Sequence, residues 1–105
     1  MVKRKISPQI MEQINNFIEQ IKKHYDIDAI YLFGSQAKGL ANENSDIDLA
    51  VVSKDVKDHH NDMVKMMIIS SKCAIDVEPH PFNTIDFNDD DMMADEILRT
   101  GIRVA

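Results

Sequence analysis

The chain has 105 residues, 44% of them apolar and 29% charged, and a net charge of −6. That length supports one small domain, read here as residues 1–105, with one modest core; the composition fits a soluble globular chain and excludes collagen-like, low-complexity and globally disordered classes. An acidic balance argues against a protein that grips nucleic acid by neutralising its phosphates, and it suits a partner with a basic surface.

No apolar run approaches the ~20 residues of a membrane span. The basic start, MVKRKISPQ, leads into no apolar signal region, which points away from secretion. A single cysteine, Cys73, excludes an intrachain disulfide, and the expected compartment is the reducing cytoplasm.

Ser7 and Pro8 open the first helix, as N-cap and first helical residue. Ile10, Met11, Ile14, Phe17, Ile18, Ile21 and Tyr25 recur at three- and four-residue spacing, so an amphipathic packing helix is predicted over 8–24. His24 at its end reads as a surface residue favoured by the helix dipole. A strand dense in Ile, Tyr, Leu and Phe follows over 27–33, and Gly34 breaks it. The turn GSQAKG, 34–39, has the makings of a phosphate cradle: glycine leaves backbone amides open to close approach, Ser35 adds a hydroxyl and Lys38 a positive charge.

A polar loop over 40–45 leads to a second strand over 46–52. There Asp46 and Asp48 share one face, because strand side chains alternate, while Ile47 and Leu49 point to a core. Two carboxylates that close repel unless a cation sits between them. The expected cation is Mg²⁺, which takes hard oxygen ligands and shares them with substrate phosphates.

The polar stretch KDVKDHHN enters a helix predicted over 60–71 and largely buried; His59 and His60 read as a surface pair. Cys73, as a small buried side chain, opens a third strand over 73–78, CAIDVE, on which Asp76 and Glu78 share a face. Pro79 and Pro81 are expected to end its pairing, with His80 between them as neutral loop filler. An Asn- and Asp-rich loop over 82–91 follows. Asp89, Asp90 and Asp91 cap and lead a last helix over 91–99, Gly101 ends it, and 102–104 form a short edge strand.

The predicted fold is α/β, a small mixed β-sheet packed with helices. Carboxylates from two strands and a phosphate turn converge at one edge, which is the equipment of phosphoryl-type transfer. Two divalent ions about 3.5–4 Å apart would clamp the attacking and leaving oxygens. Asp46 and Asp48 would hold both ions and the triphosphate, and Asp76 the ion beside the incoming hydroxyl. Glu78 stays open as the alternative third ligand; Asp76 is preferred for its shorter reach. With the β- and γ-phosphates on Gly34 and Ser35, attack falls on the α-phosphorus, which is nucleotidyl transfer. Nothing resembles the glycine loop and lysine strand of a kinase.

GSQAKG, then SDIDLAVV, then AIDVE resembles the signature of DNA polymerase β-like nucleotidyltransferases: Gly-Ser, a spacer, Asp-x-Asp and a later carboxylate on a strand. The form FGSxAxG…SDIDL is similar to the minimal nucleotidyltransferase branch. By this resemblance Gly34 and Ser35 carry the nucleotide role and Asp46, Asp48 and Asp76 the metal role, with ATP as substrate. Lys38 stands where relatives often carry Arg, keeping the charge without the two-pronged geometry. The branch is commonly paired with a helical HEPN protein, often a ribonuclease toxin. The resemblance therefore implies an antitoxin, hetero-oligomeric with its toxin, that transfers AMP to a toxin tyrosine. The alternatives are a non-catalytic toxin-binding module and nucleotidyl transfer to a small-molecule acceptor.

Overall fold

The computed structural model describes residues 6–38 and 46–105. The expected polar loop at 40–45 and the side chain of Lys38 lie outside the described residues.

Helix α1 (Pro8–Ile21) starts as its sequence dictates, with the Ser7 side chain accepting the Ile10 N–H at 3.3 Å. It ends three residues earlier than expected. The N–H groups of His24 and Tyr25 both turn back onto the Ile21 carbonyl, and this tight exit drops Tyr25 into the interior. Strand β1 (Ile27–Phe33) and the one-turn helix α2 (Ser35–Lys38) are joined by Gly34. Strand β2 (Ile47–Ser53) pairs antiparallel with β1. Helix α3 (His59–Cys73) then crosses to strand β3 (Val77–Phe82), which lies parallel to β2. Helix α4 (Met92–Thr100) is capped by Asp91, whose side chain accepts the Ala94 N–H at 2.9 Å. The two-residue strand β4 (Ile102–Arg103) closes the order β3-β2-β1-β4. A mixed sheet packed with helices is the expected α/β class.

Ile14, Phe17 and Ile21 of α1 and Met66 of α3 pack on one face of the sheet, against Ile30, Leu32, Ile47, Leu49, Val51 and Val77. Burying side chains of this size contributes about 1.5–3 kcal/mol each. Tyr25 ties the layers together. Its hydroxyl donates to Asp62 Oδ1 at 2.7 Å, and Asp62 Oδ2 accepts the N–H groups of Lys57 and Asp58 at 2.9 and 3.1 Å. Burial pushes the Tyr25 hydroxyl up, and its bond to Asp62 adds to the shift. Burial alone would raise Asp62 too, but the hydrogen bonds from Tyr25, Lys57 and Asp58 outweigh it and hold the carboxyl below the usual range. On the opposite face, Phe87 lies over the sheet against Tyr31 and Phe82, with ring centroids 5.5 and 5.0 Å apart.

Two expectations need correction. Helix α3 is not largely buried: Met66, Asp62 and Ser70 face inward, while Val64, Met67 and Ile68 are exposed. It also runs on to Cys73, which is half-buried, with its Sγ on the Ile69 carbonyl at 3.3 Å. The third strand accordingly begins at Val77, and Pro79 and Pro81 lie inside it rather than ending it. The sheet edge explains this. The Asp76 carbonyl accepts the Ile47 N–H at 2.8 Å, so residues 76, 78 and 80 bond toward β2. Residues 77, 79 and 81 turn their nitrogens outward, where proline loses no ladder bond. Among the described residues, no helix is long and apolar enough to cross a membrane.

Candidate functional site

The register brings three strands to one point. Asp48 stands opposite Phe33 on β1 and opposite Glu78 on β3. Gly34 follows Phe33 directly, so the turn leaves the sheet beside the Asp48 side chain. Gly34 has φ +71°, and a Cβ placed on it would lie 2.6 Å from Asp48 Oδ2. Glycine is thus required twice over, once by its backbone conformation and once by the carboxylate packed against it. Ser35 opens α2 and is half-buried; Lys38 closes that helix.

Asp48 is also fixed from the other side. His80 Nε2 lies 3.1 Å from Asp48 Oδ1 and 3.9 Å from Glu78 Oε1. The imidazole packs edge-on to the Phe33 ring, with centroids 5.0 Å apart and planes at 67°. Ligand atoms of Asp48, Glu78 and His80 all lie within 4.8 Å of one another, so these three could hold a cation. A cavity of ≈ 440 Å³ opens alongside, lined by His80, Phe82, Asn83, Asp86 and Met93 among others.

The remaining predicted residues stand close by, in a different arrangement. Asp46 is exposed, directly before β2. Asp76 is exposed directly before β3, and its Oδ2 accepts from Gln13 Nε2 at 2.9 Å while its N–H donates to Gln13 Oε1 at 3.1 Å. The carboxylate that the structure sets beside Asp48 is therefore Glu78, with Asp76 one step earlier and held by α1. Sequence reasoning missed His80, which is a strand residue on the face of Asp48 and Glu78 and not loop filler. The signal was present in the alternation Glu78, His80 between two prolines, once those prolines are given outward-facing nitrogens.

The donor set suits a divalent cation bound with a nucleotide: oxygen ligands on two adjacent strands, beside an open glycine turn able to approach phosphate.

Comparison with known proteins bears on the family and the fold. The family model described as polymerase beta, nucleotidyltransferase, matches residues 12–105. No curated protein sequence matches the chain. Among solved structures, a chain of a toxin–antitoxin crystal structure with AMP-PNP superposes with a TM-score of 0.64 at 24% identity, covering 85% of this chain and 69% of that one. A candidate nucleotidyltransferase from Sulfolobus solfataricus superposes with a TM-score of 0.51 at 22% identity, covering 95% of this chain and 86% of that one. At these identities the two structures speak for the fold.

Proposed function

Since this chain belongs to the polymerase β nucleotidyltransferase family, we propose that it is the antitoxin of a toxin–antitoxin pair, a cytoplasmic enzyme that transfers AMP from ATP to a tyrosine hydroxyl of a HEPN-type helical toxin. The observation that carries the reading is the contact between turn and carboxylate: Asp48 Oδ2 lies 2.6 Å from the point a Gly34 Cβ would occupy. A phosphate resting on the turn amides would then have Asp48 at its side.

In this reading Gly34 and Ser35, with Lys38, receive the β- and γ-phosphates and leave the α-phosphorus facing Asp48. Asp46, Asp48 and Asp76 would hold Mg²⁺, as two ions, with Glu78 beside them. A bound divalent cation supplies neutralisation of the triphosphate charge and a more acidic acceptor hydroxyl. Asp76 joins by turning its exposed side chain from Gln13, which gives up a hydrogen bond of about 1 kcal/mol. The acceptor oxygen attacks the α-phosphorus, the bond to the bridging oxygen breaks, and pyrophosphate leaves with that electron pair. The acceptor proton passes to solvent.

The acceptor class draws support from two directions. A structural neighbour is a toxin–antitoxin structure containing an ATP analogue. The net charge of −6 also suits a basic, RNA-handling partner. Intact-mass spectrometry of the helical partner, incubated with this protein, ATP and Mg²⁺, tests the proposal. One or more AMP units should be added by the wild type and none by an Asp46→Asn/Asp48→Asn variant. A stable complex without any added mass would instead identify a non-catalytic binding module.

A further inference from the structure

We propose that His80 is a nitrogen ligand of the cation held by Asp48, making Asp48, Glu78 and His80 a mixed carboxylate–imidazole site that prefers Mn²⁺, or a similar first-row transition ion, to Mg²⁺. The inference rests on the reading of Asp48 as a cation ligand; it adds His80 to the ligand set and makes Mg²⁺ the weaker-bound of the divalent ions this site accepts.

Geometry carries it. Neighbouring ligands of an octahedral ion with bonds of about 2.1 Å sit about 3 Å apart. His80 Nε2 and Asp48 Oδ1 are already 3.1 Å apart, and Glu78 Oε1 lies 3.9 Å from the same nitrogen. An orienting hydrogen bond explains only half of this. Ring Nε2 carries at most one proton and donates to one carboxylate, so a hydrogen bond to Asp48 Oδ1 accounts for the 3.1 Å contact and not for the approach of Glu78 Oε1 to 3.9 Å of the same nitrogen. A cation at the common point serves all three groups, with the imidazole proton placed on Nδ1. The ring is held for the purpose. It stands on a β-strand, its side chain is 19% exposed, and the edge contact with Phe33 fixes its tilt.

Chemistry gives the selectivity. Mg²⁺ takes hard oxygen ligands and gains little from an imidazole nitrogen, whereas affinity for N/O sites rises from Mn²⁺ along the first transition row. Removing His80 should therefore weaken Mn²⁺ and leave Mg²⁺ nearly unchanged.

The test uses the full chain with Mn²⁺ alone. Free Mn²⁺ is titrated by its electron paramagnetic resonance signal, and the bound ion is examined by pulsed methods that detect a directly coordinated ¹⁴N. Wild type should show nitrogen modulation and a Kd for Mn²⁺ about tenfold or more below that for Mg²⁺. His80→Ala should lose the modulation and bind Mn²⁺ about tenfold more weakly, with Mg²⁺ competition changed less than twofold. If that variant does not fold, wild type grown with ¹⁵N-histidine gives the same answer, because the modulation must change with the isotope. Binding that depends on Asp48 but shows no nitrogen coupling would overturn the His80 assignment and leave Asp48 standing. Failure to bind Mn²⁺, or binding indifferent to Asp48→Asn, would overturn both.

Discussion

Gly34→Ala tests the link between turn and carboxylate. At φ +71° a non-glycine residue costs about 1–2 kcal/mol. For a chain of this size, that lowers the melting temperature by about 5–15 °C. The added methyl would also meet Asp48 Oδ2 at 2.6 Å. Backbone cannot yield there cheaply, but a carboxylate can rotate, so the fold persists and Asp48 retreats by close to an ångström. Misplacement on that scale costs about 10²-fold in a transfer reaction. Thermal denaturation reads the first effect and AMP incorporation the second. The two separate in an Asp48→Ala background, where the clash is gone. There Gly34→Ala should still lower stability by about 1–2 kcal/mol, since only the backbone term remains. A Gly34→Ala protein that melts with the wild type and transfers AMP within threefold of it would refute the reasoning.

Asp48→Asn should abolish transfer while the circular dichroism spectrum stays native, because the change removes charge at a half-exposed face and no core packing. Tyr25→Phe should cost about 1–3 kcal/mol by denaturant melting, since it leaves a buried Asp62 oxygen without its donor. The same pair sets a pH dependence. The folded Asp62 carboxyl titrates below its unfolded value, so its contribution is present above the ordinary carboxylate range and fades as pH falls through the folded value. The Tyr25 hydroxyl titrates above its unfolded value, so its contribution is complete below about pH 10 and is lost as pH rises further. Melting temperatures across pH should show both flanks in wild type, with the alkaline flank shallower in Tyr25→Phe. Asp76→Asn should sharply reduce AMP incorporation, whereas Gln13→Ala, which spares Asp76 the loss of a hydrogen bond of about 1 kcal/mol when it turns to the ion, should leave incorporation at the wild-type level or above; equal losses would make Asp76 a structural partner of α1.

Much of the fold was legible because each element carries its own signal. Ser7-Pro8 with the Ile14, Phe17, Ile21 spacing defines α1, and the residues of β1 fell where expected. Gly34, Asp48 and a later acidic strand residue were recognisable as a set because their chemistry makes poor structural sense apart. What the sequence hid was the extent of β3, which runs over Val77–Phe82 and not 73–78. Two prolines ordinarily terminate a strand, and only the knowledge that β3 is an edge, with residues 77, 79 and 81 facing away from β2, makes them admissible. That edge position depends on the partner strand and cannot be read from local residues. The misplaced end of the strand carried one further error with it: His80, a strand residue paired with Ala50, was placed in a loop. The exposed side of α3 was hidden for a related reason. A run such as Met66, Met67, Ile68, Ile69 is apolar all round and does not say which side meets the sheet.

The prolines also explain how a carboxylate-rich edge is kept usable. An edge strand with free N–H groups invites another strand to pair with it, and here such pairing would crowd the face beside Asp48. Proline at 79 and 81 removes two of the outward donors from β3 while the inward bonds hold Glu78 in register with Asp48 and His80 with Ala50. The same alternation that blunts the edge therefore lines up Glu78 and His80 on the other parity, next to the Gly34 turn. Replacing both prolines by valine would restore the outward donors without moving the side chains of 78 and 80. The variant should keep the Asp48–His80 geometry and gain a tendency to self-associate, measurable by analytical ultracentrifugation. A monomeric, fully active Pro79→Val/Pro81→Val protein would show that the edge needs no such protection.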